Sequence, residues 1–274
     1  MKTLLLLAPV PALVGSLWLM QTVDVGAGVL GQQVVFSLVS LLVCGPMLRK
    51  PRGSLSEVSQ QRLALVFLAL LVIPSLGSGE APRRWLELAG FRFYVASALL
   101  PAALFLLARL HRGQPSSARR AAVLSVAMAA ALALQPDASQ VTALSVAAGF
   151  ALLVGHAPKK IKAAALAGLA VCTGWAWSRP DPLEPVPHVE GVLDLAWGFG
   201  PWAFIAAVLA LALPILVLVR AGVDSRRSEF ASVALYYLAI CLLAGFTQLT
   251  PVVWLGFGAG PILGYFAVVY MLSA

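Results

Sequence analysis

Charged residues are scarce in this sequence. Only 11% of its 274 residues are Asp, Glu, Lys or Arg, whereas 61% are hydrophobic, and the mean hydropathy is +0.92. So much apolar surface exceeds what one soluble core of this length can bury. The scarcity of charge therefore excludes an ordinary soluble domain and predicts a protein of the lipid bilayer.

Cysteine is rare as well, and internal repeats are absent. Cys44, Cys172 and Cys241 lie far apart inside apolar runs, which predicts neither a disulfide framework nor a zinc cluster. The sequence has no repeat of fixed period, no low-complexity tail and no matched pair of interrupted helices of the kind found in inverted-repeat transporters.

The basic residues do not form a patch for nucleic acid. The net charge is +8, but Lys and Arg occur in short clusters between apolar segments. Clusters in these positions indicate membrane topology. We therefore expect no nucleic acid partner.

Long apolar runs are what the sequence has in abundance, and a run of about 20 residues can cross a bilayer as a helix. Ten candidate helices are predicted at about 3–20, 28–48, 62–77, 92–110, 121–135, 140–156, 162–178, 195–219, 231–248 and 252–272. The runs within 121–156 are the shortest, so eight spans remain an alternative. Residues 1–20 also resemble a signal peptide, but without a clear cleavage site we interpret them as the first span.

The distribution of charge supports this count of spans. With the N-terminus inside, fifteen of the nineteen Lys and Arg residues fall on the cytoplasmic side, and eight of the eleven acids fall outside. A wrong count would scramble this separation, which follows the positive-inside rule. The sequence thus predicts an all-α integral membrane protein. We expect a single polytopic domain over 1–274, with about ten spans, both termini cytoplasmic, and outer loops at about 77–91 and 179–194.

One outer segment carries basic residues against the topology rule. Arg83 and Arg84 stand directly before Trp85. Guanidinium groups match phosphate oxygens, and an indole settles at the membrane interface, so the segment suits a phosphate-bearing lipid ligand. The alternative is an interfacial anchor, with Arg side chains extended towards the headgroups.

Two further outer segments carry acids. Asp137 follows a proline at the end of a predicted helix, where it would ordinarily cap the next helix. The stretch EPVPHVEGVLD contains Glu184, His188, Glu190 and Asp194. Such acids are usually solvated, and Asp194 is placed to cap the following helix. Glu190 is predicted to lie near the membrane surface, where partial desolvation raises the affinity of a carboxylate for a proton and suits a general base.

A fourth outer segment, 248–266, contains four glycines and two prolines. Glycine at such density permits either an unwound helix or a close approach between helix backbones. The sequence leaves both alternatives open.

These four segments resemble, in order, the motifs of the SEDS family, the RodA, FtsW and SpoVE group of cell-wall glycan polymerases. GEAPRRWLELAGFRF is similar to the family's NGARRWLxLGxFxFQPSE, and LQPDAS to its LQPDLGT. PHVEGVL resembles A-H-T-D-F-I-F, which places His188 on the family's histidine and Glu190 on its essential aspartate. LTPVVWLGFGAGPIL lies where the family has TG-x-PLPF-x-SYGGSS.

The sequence departs from these motifs at several positions. Residues 94–97 replace the family's Gln-Pro-Ser-Glu, so that an acid is missing, and Leu100 replaces a lysine. Residues 138–140 replace the end of LQPDLGT, and Gly260 alone remains of SYGGSS. The acid pair that follows the family's aspartate is lost around Gly198, and the loop before Glu190 is shorter. The chain is a divergent, shortened relative.

The resemblance implies a reaction at the outer face of the bacterial cytoplasmic membrane. Lipid II, a disaccharide on undecaprenyl pyrophosphate, is polymerised into glycan for cell shape, elongation or division. Glu190 is then the general base, and His188, Trp85 and Asp137 are expected to bind substrate. Arg83 and Arg84 would stabilise the departing pyrophosphate, together with a divalent cation (Mg or Mn) held by Asp137.

Two alternatives to a peptidoglycan glycosyltransferase stay open at this point. The lost motifs favour a catalytically degenerate membrane scaffold for a cell-wall synthase complex. A transporter or flippase of lipid-linked precursors is disfavoured, because no ionisable residue is predicted near a helix midpoint. The resemblance implies a class B penicillin-binding transpeptidase and other cell-wall synthesis proteins as partners in either of the first two cases.

Overall fold

The computed structural model describes residues 1–47, 55–76, 83–88, 91–179, 181, 183–223 and 228–273. Part of the predicted outer loop (77–82, 89–90) lies outside the described residues, as do five of the predicted cytoplasmic basic residues, at 49, 50, 52, 226 and 227.

Within the described residues the chain forms twelve α-helices and one two-stranded hairpin. The elements are α1 (Lys2–Leu7), α2 (Val10–Thr22), α3 (Ala27–Met47), α4 (Glu57–Val72) with a 3-10 turn (Ile73–Leu76), β1 (Trp85–Leu88), β2 (Phe91–Tyr94), α5 (Val95–Arg112), α6 (Pro115–Leu134), α7 (Ala138–Val154), α8 (Lys159–Trp177), α9 (Val192–Gly198), α10 (Pro201–Val223), α11 (Ser228–Phe246) and α12 (Ala259–Ser273).

The all-α membrane architecture expected from the sequence is confirmed. Every one of the ten predicted segments contains a helix. Seven helical stretches among the described residues are long and apolar enough to cross a membrane, counting α1 and α2 as one stretch. In the short hairpin at 121–156, α6 meets this length whereas α7, like α12, is a shorter apolar helix.

The predicted first span, 3–20, corresponds to one apolar stretch, Lys2–Thr22, with a short break between α1 and α2 at Pro9, which cannot donate a helical hydrogen bond. Two other predicted boundaries were wrong. The predicted helix 195–219 is divided into α9 and α10 at Gly200, whose φ of +109° is a conformation that only glycine adopts readily. The predicted start of the fourth helix, at residue 92, instead belongs to strand β2.

Helix α5 is the centre of the bundle. In its apolar stretch 83% of the residues are buried within the protein, compared with 17% for α3 and 28% for α10. It packs against α4, α6, α7, α11 and α12. The helices at the periphery of the bundle, such as α3 and α10, therefore provide the surface that faces lipid.

Two glycines bring α12 onto α5. A Cβ atom at Gly260 would collide with the Ser97 side chain, and a Cβ atom at Gly264 would collide with the Ser97 carbonyl oxygen. The pair has the small-xxx-small spacing of close helix contacts in membranes. This part of the glycine-rich segment thus serves helix packing, and it holds the start of α12 at the outer end of α5.

The two ends of the chain lie at the same end of the bundle. The Tyr265 hydroxyl donates to the Leu5 carbonyl oxygen at 2.7 Å, and the Cys44 thiol lies 3.6 Å from the Phe266 carbonyl oxygen. Helix α1, the end of α3 and the middle of α12 are therefore neighbours. An even number of crossings has this consequence, and the positive-inside rule identifies this end as cytoplasmic.

Candidate functional site

A cavity of about 380 Å³ opens at the outer end of the bundle. It lies between the β1–β2 hairpin, the loop that precedes α9 and the loop that joins α11 to α12. Its polar lining residues are Gln32, Arg84, Asp181, Glu184, His188, Glu190, Gln248 and Thr250. The volume is at the lower end of the range of roughly 300–1,000 Å³ that is usual for ligand sites.

The segment that carries His188 and Glu190 forms a tight turn. The Val186 carbonyl oxygen accepts hydrogen bonds from the backbone N–H groups of Val189, Glu190 and Gly191, at 3.0, 3.1 and 3.0 Å. Helix α9 begins directly after this turn, with Gly191 as its N-cap. The turn therefore fixes the two side chains relative to the end of a helix.

The loop before α12 is hydrogen-bonded to this turn. The Val252 N–H donates to the Val189 carbonyl oxygen at 3.2 Å, and the Phe257 N–H donates to the His188 carbonyl oxygen at 2.9 Å. At Gly256 a Cβ atom would collide with the Val189 carbonyl oxygen. The glycine at this position thus permits the close approach of two backbones, which is the second use of the glycine-rich segment.

Glu190 is a half-buried carboxylate in the cavity wall. One of its oxygens accepts a hydrogen bond from the Val186 N–H at 3.0 Å, which orients the side chain. Burial raises the pKa of Glu190 above its ordinary value, and the backbone hydrogen bonds and the charge of Arg84 only partly offset that rise. A carboxylate with a raised pKa is a stronger proton acceptor once it is ionised.

His188 lies beside Glu190 on the same wall. Its ring is 6.2 Å from the ring of Phe257, measured between centroids. Partial burial lowers the pKa of His188, which favours the neutral imidazole at neutral pH. A neutral ring both donates and accepts, and so it suits a saccharide hydroxyl.

Arg84 lines the same cavity and directly precedes strand β1 of the hairpin. Trp85 and Tyr94 are paired across the two strands, and their rings are 6.2 Å apart. Arg84 immediately precedes this pair, with its guanidinium carbon 5.9 Å from the centre of the Trp85 ring. The residue is only 6% exposed, so that an arginine side chain is almost fully buried at the cavity wall.

Two protein groups hold the Arg84 guanidinium. Nη2 donates to the Pro136 carbonyl oxygen at 3.2 Å and lies 2.6 Å from Oδ2 of Asp181. Desolvation lowers the pKa of Arg84, but the charges of Asp137 and Asp181 more than compensate and raise it above its ordinary value. The side chain therefore stays cationic in spite of its burial.

The structure separates the two adjacent arginines. Arg84 lines the cavity with Trp85, whereas Arg83 is exposed and is not among the described residues of the cavity wall. Both residues precede β1, and contacts with the Pro136 carbonyl oxygen and Asp181 hold Arg84 in its buried position. Of the two arginines, Arg84 is thus the one placed in the described cavity wall, and the phosphate-binding role of the pair stays a prediction.

Asp137 lies behind the cavity rather than in its described wall. It is 1% exposed and caps α7. One oxygen accepts from the Gln140 N–H and the Ser139 hydroxyl, and the other accepts from the Tyr94 hydroxyl at 2.5 Å. The expected capping role is therefore present, and the buried charge also supports Arg84.

The surroundings of Asp137 do not fit the predicted site for Mg or Mn. Both carboxylate oxygens are occupied by protein donors. Among the residues that the structure describes, no group of three or more His, Cys, Asp or Glu side chains is arranged to hold a metal ion. Oxygen-rich ligand sets are what these cations require.

The sequence interpretation missed part of the site. Asp181 was not singled out and Glu184 was given no role beyond that of a solvated acid, yet both line the cavity. Asp194 was expected to cap α9, which was wrong: it lies in the first turn and accepts from the Gln248 side chain. No local sequence pattern singles out Asp181, because its place in the site depends on its contact with Arg84.

This arrangement combines two chemical capacities in one cavity. The half-buried carboxylate of Glu190 can accept a proton, and the buried guanidinium of Arg84 can bind an anion. The same cavity is also lined by amide, imidazole and hydroxyl groups suited to a saccharide. Proton removal and stabilisation of an anionic leaving group can thus act on the same bound molecule.

Comparisons with known proteins identify the fold. No family model matches this sequence, and no curated protein matches it significantly. The rod shape determining protein RodA of Thermus thermophilus is similar at a TM-score of 0.69 and 17% identity, over 98% of this chain and 94% of RodA. A single-residue mutant of that RodA gives 0.72 and 16% identity over the same shares.

A third similar structure is a chain from a peptidoglycan synthase complex, in a study of how polymerization and crosslinking are coordinated. Its TM-score is 0.66 at 16% identity, covering 99% of this chain and 96% of the other. The likeness extends over nearly the whole of each chain, as the order of the four sequence motifs led us to expect. This multi-pass membrane protein has the RodA fold.

Proposed function

We propose that the chain is a divergent SEDS-family peptidoglycan glycosyltransferase. It polymerises lipid II in the outer cavity, at the outer face of the bacterial cytoplasmic membrane. The observation that carries the proposal is that Glu190 and Arg84 line the same cavity, in a chain with the RodA fold.

Glu190 acts as the general base. An acceptor sugar hydroxyl attacks the anomeric carbon of the donor, and the Glu190 carboxylate takes the hydroxyl proton. Its raised pKa and its hydrogen bond from the Val186 N–H support this role. His188 orients the acceptor through its ring nitrogens.

Arg84 stabilises the leaving group. The bond between the anomeric carbon and the diphosphate oxygen breaks, and undecaprenyl pyrophosphate departs with the negative charge. A buried guanidinium is more effective here than an exposed one, because little water screens it. Trp85, which lies beside Arg84 in the cavity wall, supports the lipid at the membrane interface.

A class B penicillin-binding transpeptidase is the proposed partner. The third similar structure belongs to a peptidoglycan synthase complex, in which polymerization is coordinated with crosslinking. A polymerase of this fold would hand its glycan to the partner on the outer side. The lipid-facing helices with low internal burial, such as α3 and α10, offer surface for such a membrane partner.

Polymerisation of lipid II tests the proposal. The purified protein is incubated with fluorescent lipid II, alone and together with a co-expressed transpeptidase, and the products are separated by size. Glycan chains made in either sample support a glycosyltransferase. No chains in either sample, from protein that elutes as a folded monomer or complex, would contradict it.

A membrane scaffold is the second candidate function. The family's acid and lysine near the start of α5 are absent, and here Ser97 at that position packs against Gly260 of α12 instead of carrying charge. A scaffold would bind the transpeptidase without making glycan. Co-purification together with an inactive polymerisation assay would favour it.

A further inference from the structure

Asp181 occupies the guanidinium of Arg84. Its Oδ2 atom lies 2.6 Å from Nη2, and its side chain is 32% exposed, whereas that of Arg84 is 7% exposed. The buried partner is thus fixed in the wall, and the carboxylate reaches it from the solvent side. Displacement of Asp181 would return a charged group to water at little cost.

The contact between the two side chains is incomplete. Nε of Arg84 is buried and has no hydrogen-bond partner in the part of the chain that the structure describes. The Nε and Nη2 atoms form one edge of the guanidinium, which binds carboxylate or phosphate most strongly through two parallel hydrogen bonds. Asp181 makes the Nη2 contact and leaves the Nε donor unused.

The cavity otherwise disfavours anions. Three acids, Asp181, Glu184 and Glu190, line it. Among the described residues of the wall, Arg84 is the only Lys or Arg. An anion that enters must therefore bind Arg84 better than Asp181 does. It must also compete with a carboxylate that is held nearby at high effective concentration.

We propose that Asp181 is a specificity-determining residue, which restricts the Arg84 site to ligands with a diphosphate group. A diphosphate offers two or more charges and can pair with Nε and Nη2 together, so it displaces Asp181. A monophosphate or a carboxylate gains too little to do so. This inference rests on the proposed function, because it names the group by which that site selects its lipid-linked substrate.

Binding of short prenyl phosphates tests the inference without any need for catalysis. Farnesyl diphosphate and farnesyl monophosphate are titrated into the full-length protein in detergent by calorimetry. Asp181→Asn is expected to bind the monophosphate at least tenfold more tightly than the wild type does, so that the preference for the diphosphate shrinks. Asp181→Ser serves as a second variant if the first is poorly folded.

Matched controls define the result. Asp24→Asn makes the same substitution on an exposed outer residue away from the cavity, and it should leave both affinities unchanged. Arg84→Gln combined with Asp181→Asn should abolish the gain. Unchanged or weaker monophosphate binding by both Asp181 variants would overturn the inference.

Inorganic pyrophosphate in a parallel titration identifies the source of the ligand. Weaker binding than farnesyl diphosphate supports a lipid-linked ligand, and equal binding overturns that part of the inference. The outcome is separate from that of the proposed function. Altered selectivity in a protein that makes no glycan would contradict only the catalysis, and active polymerisation without an Asp181 effect would contradict only the specificity role.

Discussion

The cytoplasmic end and the outer end of the bundle treat their charges differently. At the cytoplasmic end the Glu57 carboxylate accepts from the Ser117 hydroxyl and the Gln114 N–H, and Arg112 forms a two-pronged ion pair with Glu229. At the outer end Arg84 keeps an unpaired donor and Glu190 is half-buried with a raised pKa. The cytoplasmic pairs join helices, whereas at the outer end Arg84, although it contacts Asp181, keeps a donor for a ligand in the cavity.

One residue departs from this contrast. His111 at the cytoplasmic end of α5 is fully buried, and neither ring nitrogen has a partner among the described residues. It packs closely against Gly155, and its carbonyl oxygen accepts from the His156 N–H at 2.7 Å. These contacts account for its burial, and no ligand role is assigned to it.

The largest effect is expected at the base. Glu190→Gln keeps the shape of the side chain but cannot accept a proton, and loss of a general base costs about 10²- to 10⁴-fold in rate. Glu190→Asp keeps the carboxylate but withdraws it by about 1 Å, for a loss on the order of 100-fold. Glycan synthesis from lipid II measures both changes, with Asp24→Asn as the control for loss of an outer carboxylate.

Replacing each of the two adjacent arginines separately by glutamine tests the anion site. Arg84→Gln should lower kcat about 10²- to 10³-fold, because the leaving group loses its buried cation. Arg83→Gln should have a much smaller effect, since that side chain lies outside the described cavity wall. Equal losses from the two variants, in proteins of equal thermal stability, would remove the distinction between them.

Gly256→Ala tests the support of the base. The added methyl group would push on the Val189 carbonyl oxygen and displace the turn that holds Glu190. A displacement of about 1 Å predicts a loss of activity on the order of 100-fold. Gly174→Ala is the matched control, because a Cβ atom there meets nothing within 4 Å. The prediction fails if the two variants have the same kcat/KM.

Asp181→Asn should alter the pH dependence of polymerisation. The charge of Asp181 raises the pKa of Glu190, so removing that charge lowers the pKa. The base then ionises at lower pH, and the acid limb of the plot of kcat/KM against pH shifts to lower pH. A shift to higher pH would show that Glu190 and Asp181 do not interact as described.

The smallest effect is expected at the cytoplasmic end. Glu229→Gln breaks the ion pair with Arg112, but the two side chains are 36% and 38% exposed. Pairs with such exposure contribute about 0–1 kcal/mol to the free energy of unfolding. Thermal unfolding in detergent should shift only slightly, with polymerisation unchanged. A large loss of activity would contradict the contrast between the two ends.

The helices were predictable from the sequence because each span needs a long apolar run and each boundary carries charge. The interruptions were harder. Gly200 breaks α9 from α10 through its positive φ, and glycine is too common in membrane helices for that break to be recognised. The hairpin Trp85–Tyr94 was missed because each of its strands has only four residues, in which apolar and polar side chains alternate too briefly to be recognised beside the long apolar run that follows.

The candidate site was predictable in its location and only partly in its members. Topology and motif order indicated Glu190, His188 and Trp85, all of which line the cavity. Adjacent residues such as Arg83 and Arg84 look equivalent in sequence, and the contacts of Arg84 with Pro136 and Asp181, which lie far away in the chain, become visible only in the structure. Asp181 belongs to the site because it contacts Arg84, a residue 97 positions away in the chain, and no local sequence pattern indicates such a contact.

The structure of Glu190→Gln with lipid II bound would test the account most directly, because this variant should bind substrate without consuming it. The account predicts a sugar hydroxyl within about 2.6–3.2 Å of the Gln side chain at 190, the diphosphate against Nε and Nη2 of Arg84, and Asp181 displaced. Lipid II bound elsewhere, with the Arg84–Asp181 pair intact, would contradict it.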